Sequence, residues 1–513
     1  MATRDAKDYN SLSAYIGDGN PSNTYINTDP SHVLIEAAGG KIYAGLTFED
    51  YFKVDHIGTG DTIDLGANIR FKNGAKFKFT NLTNNKPNIE RGLRVDAGIL
   101  TFENVKMTGS DNLNSHVSMF PDSNTNVNQI SLLGFAYGLQ LEAEHCTTIP
   151  LSPVPGDNGY IGKVVVRKQY KGLSVKEGAH CLHIGELDVR LTWPGDIPPL
   201  GSGETTEHQR WAGKCGLLLA GNKYFKIDKM HLADSPEHLF RIGGGNGKGP
   251  GDTRHSCRYV DICTGSDDFT FERTGFSYTV DGVPHTNQGS VIKLNPDKLA
   301  RADEISIGRV IGSADDAGSN KDYCPQAVRL SKSDNVTIEH FFMENSSGVA
   351  SDNTCGEMLA INNCVGVDIG HLEVNGARES YIDADTNYDD EPGGIDGLTI
   401  GMLKGRCALS GSNRIVRVYL VGKVFRNLDI QDMDVTLDDD GIRVMDFIDM
   451  ASASYNFTIS GTVKVQAGAS TTDVPKIGVA GGLALPSGMD FDVSWKGHIY
   501  TEPTSLSDLN LQY

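Results

Sequence analysis

The sequence is poor in positive charge, in long apolar runs and in closely spaced cysteines, and each shortage excludes a class of protein. Its 46 Lys and Arg are outnumbered by 66 Asp and Glu, which gives a formal net charge of −20. Nucleic acids and anionic membrane surfaces attract a cationic surplus, so we expect neither as a partner. No stretch reaches the about 20 apolar residues of a transmembrane helix, and the first residues contain no apolar signal segment. We therefore expect a protein that folds in the cytoplasm and does not insert into membranes.

The nine cysteines do not follow a zinc-type or disulfide-type spacing. Several lie within or beside apolar runs, which predicts small buried thiols. These are Cys181, Cys215, Cys263, Cys364 and Cys407. A Walker-type phosphate loop and an HExxH motif are both missing, and the Gly-rich stretch Gly243–Gly251 has no following Ser or Thr. We expect no metal and no cofactor.

Glycine and a repeated apolar motif are what the sequence has in abundance. The motif has apolar residues at −2, 0, +3 and +5 around a central apolar residue, with a polar residue or Gly at +1. A second apolar pair often precedes it at −10 and −8, as in Val328 and Leu330. Its central residues are Phe79, Phe102, Ile161, Ile184, Ile227, Val260, Ile307, Ile338, Ile369, Ile400 and Ile430. From Ile307 onward the spacings are 31, 31, 31 and 30 residues.

This pattern predicts one coil of a solenoid for each repeat. Period-two alternation indicates a strand with one buried face, and the step of three indicates a corner that keeps apolar residues inside. Glycine at +1 suits a corner residue in the left-handed conformation. The glycines at +1 are Gly162, Gly185, Gly308, Gly370 and Gly401. Leucine-rich repeats would need a helical stretch and an asparagine ladder, and propellers would need longer periods.

We therefore predict an all-β chain whose residues 59–440 form a single-stranded right-handed parallel β-helix, a pectate-lyase-like solenoid. Residues 1–58 lack the motif and are predicted to be an N-terminal segment and cap, with a short capping helix that starts at Thr47–Asp50. Residues 441–513 alternate as antiparallel strands do. We predict that they form a small C-terminal β domain, which serves as a cap or for trimerisation.

Insertions between repeats concentrate between Ile184 and Ile307, and they run from Leu191 to Trp211, from Arg241 to Ser256 and from Gly265 to Ser290. Loops on a rigid scaffold often carry function, so these insertions predict one cleft, with surface decoration as the alternative. Aromatic rings in such loops stack on sugars or pin their own loop. The aromatic candidates are Trp193, Trp211, Tyr278 and Tyr323.

Carboxylates recur just after the motif in consecutive repeats, and we call this set the acidic column. Its members are Asp234, Glu237, Asp267, Asp268, Asp315, Asp316 and Glu344. Stacked repeats would place neighbouring members ~5 Å apart and next-nearest members ~9–10 Å apart. Glycoside hydrolysis needs two carboxylates at such separations, and crowding raises the pKa of the one that acts as acid. The alternative is that these aspartates cap turns.

Three cations form a second set, the basic column, on the outer face of the strand before the motif. Arg241, Lys293 and Arg329 each lie between two inward-facing apolar residues. In register they would follow one another at ~5 Å, the spacing of neighbouring strands. This arrangement predicts binding to the carboxylates of an acidic sugar chain, unless opposed acids neutralise it.

These features resemble the phage tailspike family of right-handed β-helix proteins. The resemblance is carried by the repeats from Phe79 to Val435, the C-terminal segment without the repeat, the missing secretion signal, and Ile16–Gly19, which echoes the start of many tailspike β-helices. It implies a homotrimer in the virion that depolymerises a bacterial capsule or O-antigen, with attachment through the first segment or a phage adaptor protein. The catalytic positions that it implies here are Glu237, Asp267, Asp268, Asp315 and Asp316.

Competing functions use the same scaffold, because a fold alone does not determine the chemistry. A hydrolase would use the acidic column, and it is the function we favour from the sequence. A lyase would use the basic column to neutralise a uronate while a base removes the adjacent proton. A deacetylase needs a Ser beside His and Asp, and no Ser stands out. A receptor-binding fibre or adhesin would use the groove without a catalytic carboxylate pair.

Overall fold

A computed structural model of the protein shows a nearly all-β chain with a large parallel sheet, as the sequence predicts. Helix α1 (Leu12–Ile16) and a 3₁₀ turn at Ala6–Asp8 are the helical elements among the described residues. In the same part of the chain, no helix has the length and apolar character needed to cross a membrane. The structure describes residues 2–20, 22–29, 31–36, 41–42, 47–48, 51–56, 64–65, 69–71, 75–80, 83–84, 93–95, 98–103, 106–107, 117–119, 126–133, 139–141, 149–169, 172–176, 178–191, 215–235, 237–243, 256–273, 277–280, 283–286, 289–296, 300–315, 324, 326–346, 355–385, 393–407, 414–419, 425–437, 443–448, 457–465, 476–479, 489–495 and 498–500.

The strands are numbered in chain order. The first are β1 (Thr3–Asp5), β2 (Thr24–Ile26), β3 (Val33–Glu36), β4 (Lys41–Ile42), β5 (Thr47–Phe48), β6 (Tyr51–His56), β7 (Asp64–Leu65), β8 (Ile69–Phe71), β9 (Ala75–Thr80), β10 (Thr83–Asn84), β11 (Leu93–Val95), β12 (Gly98–Glu103), β13 (Lys106–Met107), β14 (Val117–Met119), β15 (Asn126–Leu133), β16 (Leu139–Leu141), β17 (Tyr160–Gln169), β18 (Leu173–Val175), β19 (His183–Leu191), β20 (Leu217–Leu219) and β21 (Lys223–Ala233). They are followed by β22 (Phe240–Ile242), β23 (Cys257–Ile262), β24 (Phe269–Arg273), β25 (Ser277–Val280), β26 (Val283–Thr286), β27 (Ile292–Leu294), β28 (Ala302–Ala314), β29 (Gln326–Asn345), β30 (Cys355–Asp385), β31 (Ile395–Cys407), β32 (Arg414–Tyr419), β33 (Phe425–Leu437), β34 (Arg443–Ile448), β35 (Phe457–Val465), β36 (Lys476–Val479), β37 (Met489–Trp495) and β38 (His498–Tyr500).

The chain divides into two compact units. Unit 1 comprises Met1–Glu237, Val260–Ile262 and Ser277–His285, and unit 2 comprises His238–Tyr259, Cys263–Phe276 and Thr286–Tyr513. In unit 1, one parallel row runs β3, β6, β9, β12, β15, β17, β19 and β21. Two other parallel rows of this unit run β14, β16, β18, β20 and β1, β2, β5, β8, β11.

Unit 2 also contains parallel rows. One row runs β22, β27, the first part of β29 and the first part of β30. A longer row runs β24, β28, β29, β30, β31, β33, β35 and β37, and a third runs β30, β32, β34 and β36. Strands β29 and β30 therefore each belong to more than one row, because the backbone turns within them.

The predicted motif positions coincide with the strand register over most of the repeats. The central residues Ile307, Ile338, Ile369, Ile400 and Ile430 pair in that order along the longer row of unit 2, and all are fully buried. In unit 1, Ile161, Ile184 and Ile227 pair likewise. The first two repeats were predicted in the wrong frame, because Phe79 and Phe102 align with Val166, five residues after Ile161.

The glycines at +1 do not have the left-handed conformation that the sequence suggested. None of the five, all in described strands, has a positive φ. Four of them, Gly185, Gly308, Gly370 and Gly401, lie instead where neighbouring backbone comes too close for a Cβ atom. A Cβ on Gly308 would lie 1.9 Å from the carbonyl oxygen of Cys263, and one on Gly401 would lie 2.5 Å from that of Gly370. Glycine is required at these positions by close backbone approach.

The left-handed corner lies three residues before the motif centre. Register aligns five such residues on successive strands, and each has φ between +50° and +80°. They are Glu304, Asn335, Gly366, Gly397 and Asn427. Asn and Gly tolerate this conformation best, and the two Asn side chains also donate to a neighbouring carboxylate. Asn335 Nδ2 lies 2.9 Å from Asp303 Oδ1, and Asn427 Nδ2 lies 2.7 Å from Asp396 Oδ1.

Both ends of the chain differ from the expectation. Thr47–Phe48 and Tyr51–His56 are strands, so the capping helix predicted there is wrong. At the other end, β35 pairs in parallel with β33 and β37 pairs in parallel with β35. Antiparallel pairing is found between β37 and β38. The parallel rows thus continue across residue 440, where we had placed a boundary, because alternation alone does not distinguish parallel from antiparallel strands.

The cysteine prediction is confirmed wherever the structure describes the side chain. Cys181, Cys215, Cys263 and Cys364 are buried free thiols, and the side chain of Cys407 lies outside the described residues. Burial raises the pKa of Cys181 to about 11 and that of Cys364 to about 12. These thiols therefore remain protonated and pack as small apolar side chains.

Candidate functional site

The basic column has the arrangement that the sequence predicts. Arg241 on β22 pairs with Lys293 on β27, and Lys293 pairs with Arg329 on β29. Each is half-buried between two buried apolar neighbours, so the three side chains share the outer face of one strand row. Neighbouring strands are ~4.8 Å apart, which places three cations on a line ~10 Å long. The next strand continues this position with the buried Ala360, where the column ends.

His238 lies at the base of the basic column, two residues before β22, with 6% of its surface exposed. Its Nδ1 accepts a hydrogen bond of 2.8 Å from the main-chain N–H of Ser290, which precedes β27. A ring nitrogen that accepts from an N–H carries no proton, so the neutral ring has its proton on Nε2.

The charge around His238 is positive. Burial holds the pKa of His238 well below its ordinary value, and four cations lower that pKa further. They are Lys293, Arg241, Arg273 and Arg329. His238 therefore remains uncharged at neutral pH.

The sequence analysis missed Arg273, and it did not distinguish His238 from other scattered histidines such as His231 and His255. Arg273 ends β24 and is 1% exposed, on the same side of the strand as the buried Phe269 and Phe271. His238 likewise continues the inward alternation of Phe240 and Ile242. A charged or titratable residue at an inward position of an alternating strand is the signal that would have found both. We call the basic column together with Arg273 and His238 the cationic cluster.

The acidic column is not assembled as predicted. Asp268 directly precedes β24 and Asp315 directly follows β28, yet the two strands pair from Phe269 with Val310 to Arg273 with Ala314. The two carboxylates are therefore at opposite ends of a five-residue strand, roughly 17–20 Å apart at 3.3 Å per residue. That separation exceeds the about 5–9.5 Å of a glycosidase pair. The prediction that Asp267 and Asp268 stack on Asp315 is wrong.

Of the five catalytic candidates, three have a local partner, one is exposed and one lies outside the described residues. Asp268 is 3.7 Å from the Nη1 of Arg309, and Asp315 accepts a hydrogen bond from the hydroxyl of Ser346. Glu237, in unit 1, is 6% exposed, and its Oε2 accepts from the thiol of Cys215 at 3.3 Å. Asp267 is exposed, and Asp316 lies outside the described residues. These contacts match turn caps and local ion pairs better than an assembled catalytic dyad.

The predicted aromatic residues fall where the structure describes little. Trp193, Trp211 and Tyr323 lie outside the described residues, and Tyr278 is in β25 with a side chain that is not described. The insertion from Gly265 to Ser290 contains β24 and a pairing of β25 with β26. Among the described residues, no group of three or more His, Cys, Asp or Glu side chains could hold a metal ion.

The long insertions follow different strand rows. The insertion that begins at Leu191 follows β19, and the one that ends at Ser290 begins before β24 and precedes β27. The insertion from Arg241 to Ser256 begins within β22, the strand that carries Arg241, and continues past its C-terminal end. Strand β22 thus leads into one long insertion, and β27 follows another.

No protein-family model matches the chain, and no curated protein or solved structure is detectably similar to it. The function therefore has to be inferred from the geometry of the cationic cluster and the strand rows.

Proposed function

We propose that the parallel rows are the faces of a right-handed parallel β-helix, and that this chain binds and depolymerises a bacterial surface polysaccharide in the manner of phage tailspikes. The observation that supports the proposal is the register of the basic column on three successive strands. A linear polymer repeats along its length, and a row of identical strand positions repeats along the protein. Such a row offers the same contact to successive sugars.

The register favours elimination over hydrolysis as the cleavage chemistry. Hydrolysis needs two carboxylates that lie close together, and Asp268 and Asp315 are far apart along the strands. Elimination needs cations that neutralise a uronate carboxylate, which the basic column supplies. The C5 proton then passes to a base while the C4–O bond breaks and its electron pair leaves with the glycosidic oxygen. The new double bond between C4 and C5 remains on the sugar.

Product analysis tests this proposal. We expect purified capsules and O-antigens from a panel of bacteria to include at least one polymer that the protein shortens, as measured by size-exclusion chromatography. Mass spectrometry then assigns the chemistry, because elimination leaves an unsaturated end that absorbs in the near ultraviolet, whereas hydrolysis adds a water to each fragment. If every polymer stays intact and the protein binds some of them, the result would contradict the enzyme and support an adhesin.

Single substitutions separate the two chemistries. If cleavage is an elimination, we expect Lys293→Gln to lower kcat/KM by about 100-fold, in line with the loss of one electrostatic contact to a developing charge. Asp268→Asn and Asp315→Asn should each change it by less than about three-fold, since these two carboxylates lie too far apart to act as a catalytic pair. If the aspartate variants instead lose more kcat/KM than Lys293→Gln and each fragment has gained a water, the cleavage is a hydrolysis.

A further inference from the structure

A second group of titratable side chains lies on the outer face of one strand row of unit 1. Strand register places Tyr160, His183 and Lys226 side by side on β17, β19 and β21. Asp228 follows Lys226 by two residues on β21. The side chains of His183 and Asp228 are 22% and 38% exposed, so a ligand in solution can reach them. We call these four residues the tyrosine–histidine cluster.

His183 and Asp228 form a hydrogen-bonded dyad. The Nε2 of His183 lies 2.7 Å from Oδ2 of Asp228. An ionised carboxylate only accepts hydrogen bonds, so Nε2 carries the proton and the neutral ring has its lone pair on Nδ1. Within the described part of the chain, Nδ1 makes no hydrogen bond. The dyad therefore presents a base whose ring is held in one orientation, as general base catalysis requires.

Tyr160 adds a hydroxyl group beside this base. Its ring packs edge-on against the ring of His183, with the two centroids 5.0 Å apart. Its Oη makes no hydrogen bond to any residue that the structure describes. Gly185 leaves room for this hydroxyl, because a Cβ there would lie 2.8 Å from Oη. The register of β19 with β21 sets Gly185 opposite Asp228, so the phenol donor lies close to both members of the dyad.

The charges around the dyad do not favour an anionic ligand. The Nζ of Lys226 lies 3.4 Å from Oδ1 of Asp228 and 3.9 Å from Oδ2 of Asp261, which also belongs to unit 1. The ammonium group of Lys226 is thus shared by two carboxylates. A substrate that is itself a carboxylate would be repelled by both, whereas a neutral substrate would not.

An apolar surface begins next to the dyad. Five large hydrophobic side chains are exposed among the described residues, and four of them lie between residues 149 and 160. They are Ile149, Leu151, Val154 and Tyr160. This segment is held in place, since the N–H groups of Gly156 and Asn158 donate to the carbonyl oxygen of Cys181 at 2.9 and 3.1 Å. A Cβ on Gly156 would lie 3.7 Å from the Cβ of His183, and Val154 is separated from Gly156 by at most about 7 Å of chain. An apolar group held at the dyad can therefore contact this segment.

We propose that the tyrosine–histidine cluster is an esterase site, which hydrolyses a neutral carboxylic ester with a small apolar acyl group. His183 is the general base, Tyr160 stabilises the oxyanion, and Asp228 is a positioning residue. Among the described residues, no Ser, Thr or Cys side chain bonds to His183, so water is the nucleophile. This activity is separate from the proposed depolymerisation and does not depend on it.

The reaction proceeds by addition and then elimination. The Nδ1 of His183 takes a proton from water while the water oxygen bonds to the carbonyl carbon, and Tyr160 donates a hydrogen bond to the oxygen that becomes negative. The bond from that carbon to the alcohol oxygen then breaks. Its electron pair leaves with the alcohol oxygen, which takes the proton from His183. The products are a carboxylic acid and an alcohol, and the dyad returns to its starting state.

Hydrolysis of p-nitrophenyl acetate and butyrate tests the site. We expect the native protein to hydrolyse both esters faster than the urea-unfolded protein, which carries the same histidines. His183→Gln should lower kcat/KM by about 100-fold or more, because it removes the base. The matched control is His371→Gln, since His371 lies 3.3 Å from Glu373, is 29% exposed and stacks on His340 instead of a tyrosine. This control should stay within about two-fold of the wild-type protein. Equal rates for native and unfolded protein, or equal losses in the two variants, would overturn the site.

Two further variants separate the roles of the other residues, with circular dichroism to check the fold of each. Tyr160→Phe keeps the ring beside His183 and removes only the hydroxyl, so it should lower kcat by about 100-fold, as the loss of one oxyanion donor does. Asp228→Asn still accepts from Nε2 but loses its charge, and it should lower kcat by about ten-fold or more with KM nearly constant. An unchanged kcat in Tyr160→Phe, or a higher KM at unchanged kcat in Asp228→Asn, would contradict the role given to that residue.

The acyl preference tests the substrate class. Val154→Ser should lower the ratio of kcat/KM for the butyrate to that for the acetate by about three-fold or more, because apolar contact is lost. Val365→Ser is its matched control, since Val365 is 49% exposed against 55% for Val154 and belongs to unit 2. The hemisuccinate, whose acyl group carries a carboxylate, should react about ten-fold or more slowly than the butyrate. A hemisuccinate that reacts as fast as the butyrate, or the same ratio in both valine variants, would rule out a neutral apolar substrate.

Discussion

Replacing Gly308 by alanine should destabilise the protein by about 3 kcal/mol or more, because the added methyl group overlaps the backbone of the neighbouring strand. The Cβ would lie 1.9 Å from the carbonyl oxygen of Cys263 and 2.7 Å from its carbonyl carbon. Those are main-chain atoms of the residue that directly follows β23, and they cannot rotate away as a flexible side chain would. Urea-induced unfolding would measure the loss as a lower midpoint at an unchanged slope.

Gly265 provides a matched control for this substitution. It lies two residues after Cys263 in the same connection and is exposed. No heavy atom lies within 4 Å of the position that an added Cβ would take. Its φ is not among the positive values. Gly265→Ala should therefore be neutral or stabilise by up to about 1 kcal/mol, since alanine restricts the unfolded chain. Equal losses for the two variants would contradict the explanation by close backbone approach.

The strand periodicity could be predicted from the sequence because the buried positions of each strand are occupied by apolar residues. The column from Ile307 to Ile430 was found from its spacing alone, and the register confirms it. The corner was misplaced because glycine serves two purposes that look alike in sequence, positive φ and close approach. The true corner at −3 is occupied by Glu304 and Asn335 as well as by glycine, so composition conceals it.

The candidate site was predicted in part for a similar reason. Arg241, Lys293 and Arg329 each sit between two apolar residues of a strand, which fixes both their face and their neighbours. Asp268 and Asp315 lie outside strands, so the sequence offered no register with which to place them. One precedes a strand and the other follows one, and a count of residues from the motif does not separate these cases.

Acid should destabilise the protein between pH 6.5 and pH 4 through His180. Burial, followed by the charge of Lys223, lowers the pKa of His180 to about 4 from its ordinary 6.5. Between pH 6.5 and pH 4 the unfolded chain binds a proton at this histidine that the folded chain does not bind. The free energy of unfolding is therefore highest above pH 6.5 and falls as the pH is lowered to 4. A shift of this size corresponds to about 3 kcal/mol at pH 4 relative to pH 7. Urea-induced unfolding at pH 7, 5.5 and 4.5 would follow the loss.

His180→Gln assigns that loss to one side chain. The Nδ1 of His180 accepts from the Lys223 N–H at 3.2 Å, and the amide oxygen of Gln can take over this role without titrating. We expect the variant to lose about 3 kcal/mol less than the wild-type protein on acidification. The contribution of Asp5 is separable from that of His180. Burial tends to raise the pKa of Asp5, but hydrogen bonds from Thr28 and Lys7 lower it from 3.8 to about 2, so its stabilising effect is lost only below about pH 4. An unchanged slope in His180→Gln would mean that other groups, such as His238, cause the acid sensitivity.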